Sequence, residues 1–270
     1  MASATVITTP ARQISAPRVA VRALAVTYGA HAALEKVSLD VRDGEFVCLL
    51  GPSGCGKTTL LNAIAGFVGA ATGEVLIDGN AVAGPGADRG MVFQEYALFP
   101  WFTIEQNVQY GPRLRGMTKP ALKELSDHYL QLVHLEENKH RYANQLSGGQ
   151  RQRVAIARAL ANQPKILLMD EPFGALDAMT RESLQEELLR IWEAERRTCI
   201  FVTHSIGEAV FLADTIVIMQ AQPGRIQVVL ENILSRPRER TSDAYFAMYR
   251  KIDGLLRTAH RPASDPGRSP

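Results

Sequence analysis

Apolar residues along the chain fall in short, dense runs separated by polar turns, and the runs are of more than one kind. RVAVRALAVTY from Arg18 and LEKVSLDV ending at Val41 are β-type segments, separated by GAHAA and closed by Arg42, Asp43 and Gly44, a pattern that predicts an antiparallel opening. FVCLLG (46–51), ILLMD (166–170), CIFVTH (199–204) and TIVIM (215–219) are continuous apolar runs without alternation, as expected of strands buried on both faces of a parallel sheet. EVLIDG (74–79) and MVFQ (91–94) add two further strands. Helical patterns occupy TTLLNAIAGF after a glycine-rich loop, Thr180–Arg196, Ile206–Ala213 and residues 243–256. In the second of these, Leu184, Leu188 and Trp192 stand four apart and form a core stripe. From Glu95 to about Arg158 helical patterns such as KELSDHYLQLVHL (123–135) occur with no convincing strand, which predicts a helical insertion in an α/β core.

Composition narrows the class. The chain has 270 residues, enough for one large domain or a compact domain with an insertion, and 46% hydrophobic against 21% charged residues makes the bulk of it globular. A net charge of +2 is too balanced for a protein that wraps nucleic acid, so any recognition of phosphate must be local. Cys48, Cys55 and Cys199 have no framework spacing, which points to a reducing compartment. No apolar run approaches the ~18 residues of a membrane helix. The first 17 residues, MASATVITTPARQISAP, lack the plan of a secretory signal and read as a flexible tail. The Arg-rich stretch from about Arg236 leads into a final helix and then RTAHRPASDPGRSP, which reads as a disordered tail.

Three stretches carry phosphate chemistry. Gly51, Pro52, Ser53, Gly54, Cys55, Gly56, Lys57 and Thr58 spell G-x-x-x-x-G-K-[ST] between a buried strand and a helix. Glycines let backbone amides converge on phosphates at a helix N-terminus, Lys57 reaches the β/γ-phosphates, and the Thr58 hydroxyl suits Mg²⁺. ILLMDEP (166–172) carries four apolar residues into the adjacent carboxylates Asp170 and Glu171. On an extended segment they point to opposite sides, so that one can hold Mg²⁺ while the other faces an attacking water. LSGGQRQRVAIARAL (146–160) puts Ser147, Gly148 and Gly149 at the start of an amphipathic helix, a second anion site of the same physical kind.

Taken together, GPSGCGKT, LSGGQRQR, LLMDEPFGALD and FVTH resemble the ATP-binding subunit of an ABC transporter, over roughly Arg18 to Arg236. The resemblance implies an α/β fold: a P-loop NTPase (RecA-like) core with an antiparallel β subdomain and a helical subdomain insertion at about 95–158. It implies ATP and Mg²⁺ as ligands, and a head-to-tail homodimer in which the LSGGQ segment of one copy closes over the nucleotide held by the other. Tyr28 then matches the aromatic that stacks on adenine, and Gly51–Thr58 with Thr59 the phosphate loop. Ser147, Gly148, Gly149 and Gln150 match the closing segment, and Asp177 the residue that communicates across the dimer. Gln94 matches the glutamine contacting Mg²⁺ and water, Thr58 and Asp170 the other metal-linked positions, Glu171 the general base, Lys57 a phosphate-binding charge and His204 the γ-phosphate contact. Ser205 and Gly207 stand where relatives often carry acidic residues, and no role attaches to them.

Residues 95–145 leave room for a small helical subdomain and not for the long coiled coil of DNA-repair relatives. Tyr96, Phe99, Trp101 and Phe102 cluster where the family forms a groove for a membrane subunit; they serve equally as a subdomain core. GPGADRGMVFQ, FPW and DEPFGALDAMTR resemble the ATPases of importers for nitrate, taurine and other sulfonates. That resemblance implies two membrane permease subunits, a separate solute-binding protein, no nucleic acid partner, and a peripheral place on the cytoplasmic face of the inner membrane. The alternative is a soluble ABC-type ATPase of translation or DNA repair. The final helix, with Tyr245, Phe246 and Tyr249, either adds to a dimer contact or covers a sheet edge.

Overall fold

The computed structural model describes residues 16–259, so most of the expected tails at 1–17 and 257–270 lies outside the described residues, and 257–259 belong to the final helix. In chain order the elements are β1 (Val19–Tyr28), β2 (His31–Val41), β3 (Phe46–Leu50), α1 (Lys57–Ala65), β4 (Thr72–Ile77), β5 (Asn80–Ala81), β6 (Arg89–Val92), α2 (Ile104–Leu114), α3 (Lys119–Leu132), α4 (Gly148–Ala161), β7 (Ile166–Asp170), α5 (Ala178–Glu195), β8 (Thr198–Thr203), α6 (Ile206–Leu212), β9 (Thr215–Gln220), β10 (Arg225–Glu231) and α7 (Asp243–Ala259). The chain divides into two compact units, one holding the residues up to Arg42, Phe46–Ala83 and those from Thr203 onward, the other Asp43–Glu45 and Gly84–Val202.

In the first unit, β1 lies antiparallel between β2 and β4, with β5 outside β4. The turn from β1 to β2 is shorter than GAHAA implies. Gly29 takes a left-handed φ of 59°, and β2 already begins at His31. Ala32 and Ala33 are weak strand formers. Ala32 is kept extended by pairing with Thr27 of β1, and Ala33 by Gly224, whose N donates to Ala33 O (3.2 Å) and whose O accepts from Glu35 N (2.9 Å).

A second sheet segment of this unit sets β3 parallel to β9 and β9 antiparallel to β10. All five residues of β3 and Ile216–Met219 of β9 are fully buried, which is what their unbroken apolar runs require. β10, which the periodicity does not announce, is an edge strand with one buried side chain, Leu230, and a slipped register between Ile226 and Val228. Helix α7 turns Tyr245, Met248 and Ile252 inward against α6 and β9, and the Tyr245 hydroxyl donates to Gly207 O (2.9 Å). It therefore covers the sheet, while Phe246 and Tyr249 stay exposed.

In the second unit, β6, β7 and β8 run parallel. β6 spans Arg89–Val92, so Gln94 follows two residues after the strand. Helix α5 buries Leu184, Leu188 and Trp192 as their spacing requires. Helix α2 starts on a capping box: Thr103 Oγ1 accepts from Gln106 N (3.2 Å), and Gln106 Oε1 accepts from Thr103 N (2.9 Å). The buried Asn107 amide donates to the carbonyls of Phe99, Phe102 and Thr103 and accepts from Phe99 N, which ties the aromatic segment to the helix. Phe99 packs on Tyr110 (4.6 Å between ring centroids) and on Phe102 (5.5 Å), whereas Trp101 is 67% exposed. The aromatic cluster is thus partly subdomain core and partly surface. Between 95 and 158 the β structure among the described residues amounts to one isolated bridge, Thr103 to Tyr142. No helix of the described residues is long and apolar enough to cross a membrane.

Candidate functional site

The first unit carries the glycine loop. Strand β3 stops at Leu50 and α1 begins at Lys57, so residues 51–56 turn the chain from a buried strand into a helix start. Gly56 has a φ of 89°, and a Cβ there would lie 2.5 Å from Leu34 Cδ2 and 2.9 Å from Ala33 O, so only glycine fits. Gly51 is fixed by crowding, its Cβ position lying 2.6 Å from Met219 O and 2.8 Å from Cys55 Sγ. Gly224 keeps the β9–β10 turn within reach of the same loop, with a Cβ position 2.5 Å from both Ala33 O and Cys55 O. No local sequence pattern marks it, because its partners Cys55 and Ala33 are 169 and 191 residues away.

Lys57 is buried, and its Nζ donates to Gly51 O (2.8 Å) and Pro52 O (2.9 Å). Among the described residues it pairs with no carboxylate. Helix α1 has no side-chain cap and no acid in its first turn. A buried ammonium held by carbonyls at an uncapped helix start is suited to an anion. The Cys55 thiol is fully buried, and burial pushes its pKa up against the opposing charge of Lys57. Cys48, Cys55 and Cys199 form no disulfide among the described residues. Tyr28, the last residue of β1, is half exposed.

His204 is exposed and directly follows β8. The bend after it is set by its neighbours: Thr203 Oγ1 bonds the Glu208 carboxylate and accepts from Ser205 N (3.0 Å), and Ser205 caps α6. Ser205 therefore has a local structural role.

The second unit carries the carboxylates, the glutamine and the serine-glycine segment. Strand β7 ends on Asp170, but Glu171 departs from the expected extended geometry. Its φ is 41°, its N–H donates to Val202 O (3.1 Å), and its carbonyl accepts from Gly174 N (3.1 Å). The turn, and not strand alternation, therefore sets the direction of Glu171. A Cβ on Gly174 would lie 3.7 Å from Gln94 Nε2 and 4.0 Å from Glu171 Oε2, so the amide and the carboxylate border one small space.

Ser147 caps α4 reciprocally: its Oγ accepts from Gln150 N (3.3 Å) and Gln150 Oε1 accepts from Ser147 N (3.0 Å). The hydroxyl hydrogen can still donate. Gly149 lets α4 approach α5, since its Cβ position is 2.7 Å from Thr180 Cγ2, and Gly148 lies against Leu176 and the Tyr96 hydroxyl. Asp177 caps α5 by accepting from Thr180 N (3.0 Å), and that bond holds its carboxyl below the usual carboxylate range. Arg151 stacks over Tyr96, and Arg158 donates to the Tyr96 and Ala97 carbonyls. Neither arginine was singled out from the sequence, where they look like the polar face of an amphipathic helix.

The structure thus groups Lys57, Thr58, Thr59, Tyr28 and His204 with the first unit, and Gln94, Asp170, Glu171, Ser147–Gln150 and Asp177 with the second. Residues 34–174 match the family model described as ABC transporter. The chain is 52% identical over 225 residues to an uncharacterised ABC transporter ATP-binding protein of Methanocaldococcus jannaschii, covering 83% of this chain and 84% of that one. It is 46% identical over 233 residues to an aliphatic sulfonates import ATP-binding protein of Bacillus cereus, covering 84% and 91%. It is 49% identical over 194 residues to a taurine import ATP-binding protein of Roseobacter denitrificans, covering 72% of each. Among solved structures it is similar to a dimeric ATP-binding cassette in a post-hydrolysis state bound to ADP and Pi, with a TM-score of 0.70, 34% identity, and coverage of 80% of this chain and 100% of that chain.

Proposed function

The chain belongs to the ABC transporter family, as an ATP-hydrolysing subunit with the P-loop NTPase fold, and from that premise we propose that it energises bacterial uptake of a small anion. The cargo is a sulfonate such as taurine, with nitrate as the second member of the class. The observation that carries the cargo is the kinship, at 46% and 49% identity, with ATPases of aliphatic sulfonate and taurine import. The chain acts with two membrane permease subunits and a separate solute-binding protein, peripherally on the cytoplasmic face of the inner membrane.

Tyr28 stacks on adenine, as its exposed ring at a strand end permits. Gly51–Gly56 and the amides of Lys57, Thr58 and Thr59 cradle the phosphates, and Lys57 exchanges its loop carbonyls for phosphate oxygens. Thr58, Gln94 and Asp170 offer hard oxygen donors that suit Mg²⁺, whose charge would neutralise the phosphate oxygens. Glu171 takes a proton from water as its oxygen attacks the γ-phosphorus, ADP leaves, and His204 bonds the γ-phosphate oxygens. Ser147–Gln150 of a second copy donate to the same oxygens from a helix start, and Asp177 links the two copies. Catalysis is then positioning and electrostatics more than covalent chemistry.

Growth tests the cargo. A strain lacking this gene is grown on taurine, other alkanesulfonates or sulfate as sole sulfur source and on nitrate as sole nitrogen source. The expected result is a defect on sulfonates, absent on sulfate, that the wild-type gene rescues and Glu171→Gln does not. Normal growth on every sulfonate and on nitrate would reject the cargo class.

A further inference from the structure

The loop between β6 and α2 contains two consecutive non-glycine residues in the left-handed region, Tyr96 at φ 58° and Ala97 at φ 47°. Side chains rarely adopt this backbone state, and a surrounding structure must over-determine it. Arg158, nearly three turns into α4, does so: its Nη1 donates to Ala97 O and its Nη2 to Tyr96 O (3.0 Å). The same guanidinium lies 5.8 Å from the Phe99 ring, and Arg151 lies 5.5 Å from the Tyr96 ring on the same helix. Among the described residues Arg158 has no carboxylate partner. Burial pushes its pKa below the ordinary value. A half-buried cation whose side-chain hydrogen bonds, among the described residues, go to two carbonyls of a strained loop is a costly arrangement for packing alone.

Gln94 stands two residues before Tyr96, and its amide borders Gly174 together with the Glu171 carboxylate. We infer that Arg158 is a positioning residue for Gln94: by holding the Tyr96 and Ala97 carbonyls it keeps the loop in a disfavoured state that presents the Gln94 amide beside Glu171. The inference rests on the ATPase reading of this site. It makes α4 a two-ended element, with Ser147 and the glycines at its start and the clamp on the Gln94 loop at its far end.

The test compares the full-length wild-type chain with Arg158→Met, Arg158→Lys, Ala97→Gly and the Arg158→Met/Ala97→Gly double variant. For each, kcat, the affinity for a fluorescent ATP analogue and Tm are measured. Arg158→Met should lower kcat about tenfold or more, as misplaced catalytic groups do, and leave nucleotide affinity within about twofold, because the phosphate loop is untouched. Arg158→Lys, with a single donor group, should fall between. Ala97→Gly, which relieves the left-handed residue, should be near wild type alone and should restore roughly three- to fivefold of the lost kcat in the double variant. An Arg158→Met chain with wild-type kcat would overturn the inference. So would a kcat loss that Ala97→Gly leaves unrelieved while Tm falls in both. A wild-type chain without ATP hydrolysis would overturn the ATPase reading together with it.

Discussion

Glu171→Gln is expected to lower ATP turnover by roughly 10²- to 10⁴-fold, the usual contribution of a general base, while nucleotide binding persists. The amide has the size and hydrogen-bonding outline of the carboxylate but cannot accept the proton of the attacking water. The turn that aims it relies on backbone groups, Glu171 N to Val202 O and Gly174 N to Glu171 O, which the substitution leaves in place. The local fold should therefore survive, and the loss should appear in kcat and not in the affinity for ATP. With hydrolysis blocked, ATP-bound dimers should accumulate, readable as a doubling of mass by light scattering on adding ATP and Mg²⁺. Turnover within about twofold of wild type would remove Glu171 from the role of base.

Lys57→Ala is expected to act on the other side of the same reaction, weakening ATP binding by about 10²-fold or more as a charge-assisted contact to phosphate is lost. In the free chain the ammonium is buried against Gly51 O and Pro52 O with no carboxylate partner among the described residues, so its removal also removes a desolvated charge. Stability without nucleotide should then change little or rise. The distinguishing readout is thermal unfolding with and without ATP. A ligand at 100 times its Kd stabilises the native state by about 2.7 kcal/mol, and the variant should lose that increment at the same ATP concentration. An unchanged ATP-dependent rise in Tm would exclude Lys57 as a phosphate ligand.

Much of this was legible in the residues. The unbroken apolar runs FVCLL, ILLM and IVIM are buried strands because a parallel strand must be apolar on both faces. The glycine loop is readable because a tight turn, a close backbone approach and a helix start demand particular residues at fixed offsets. The features that stayed hidden depend on partners distant in sequence. Gly224 bonds Ala33 and Glu35 of β2 from the far end of the chain, against the weak strand propensity of Ala33. β10 is an edge strand whose irregular pattern acquires its register from β9. Glu171 lies in a left-handed turn where strand alternation no longer applies. Arg158 looks like one more solvated helix position until the two carbonyls it holds, some 60 residues earlier, are seen. Strain and long-range hydrogen bonding leave no period in the chain, and such departures from local preference concentrate where function is carried.

The most direct measurement is ATP turnover per chain as a function of total chain concentration, with mass followed by light scattering in parallel. A site completed by Ser147–Gln150 of a second copy requires turnover per chain to rise with concentration while the chain is monomeric and to level off once ATP-bound dimers form. Constant turnover per chain across a range in which the protein remains monomeric would mean that one chain holds a complete catalytic site, and would contradict the shared head-to-tail arrangement.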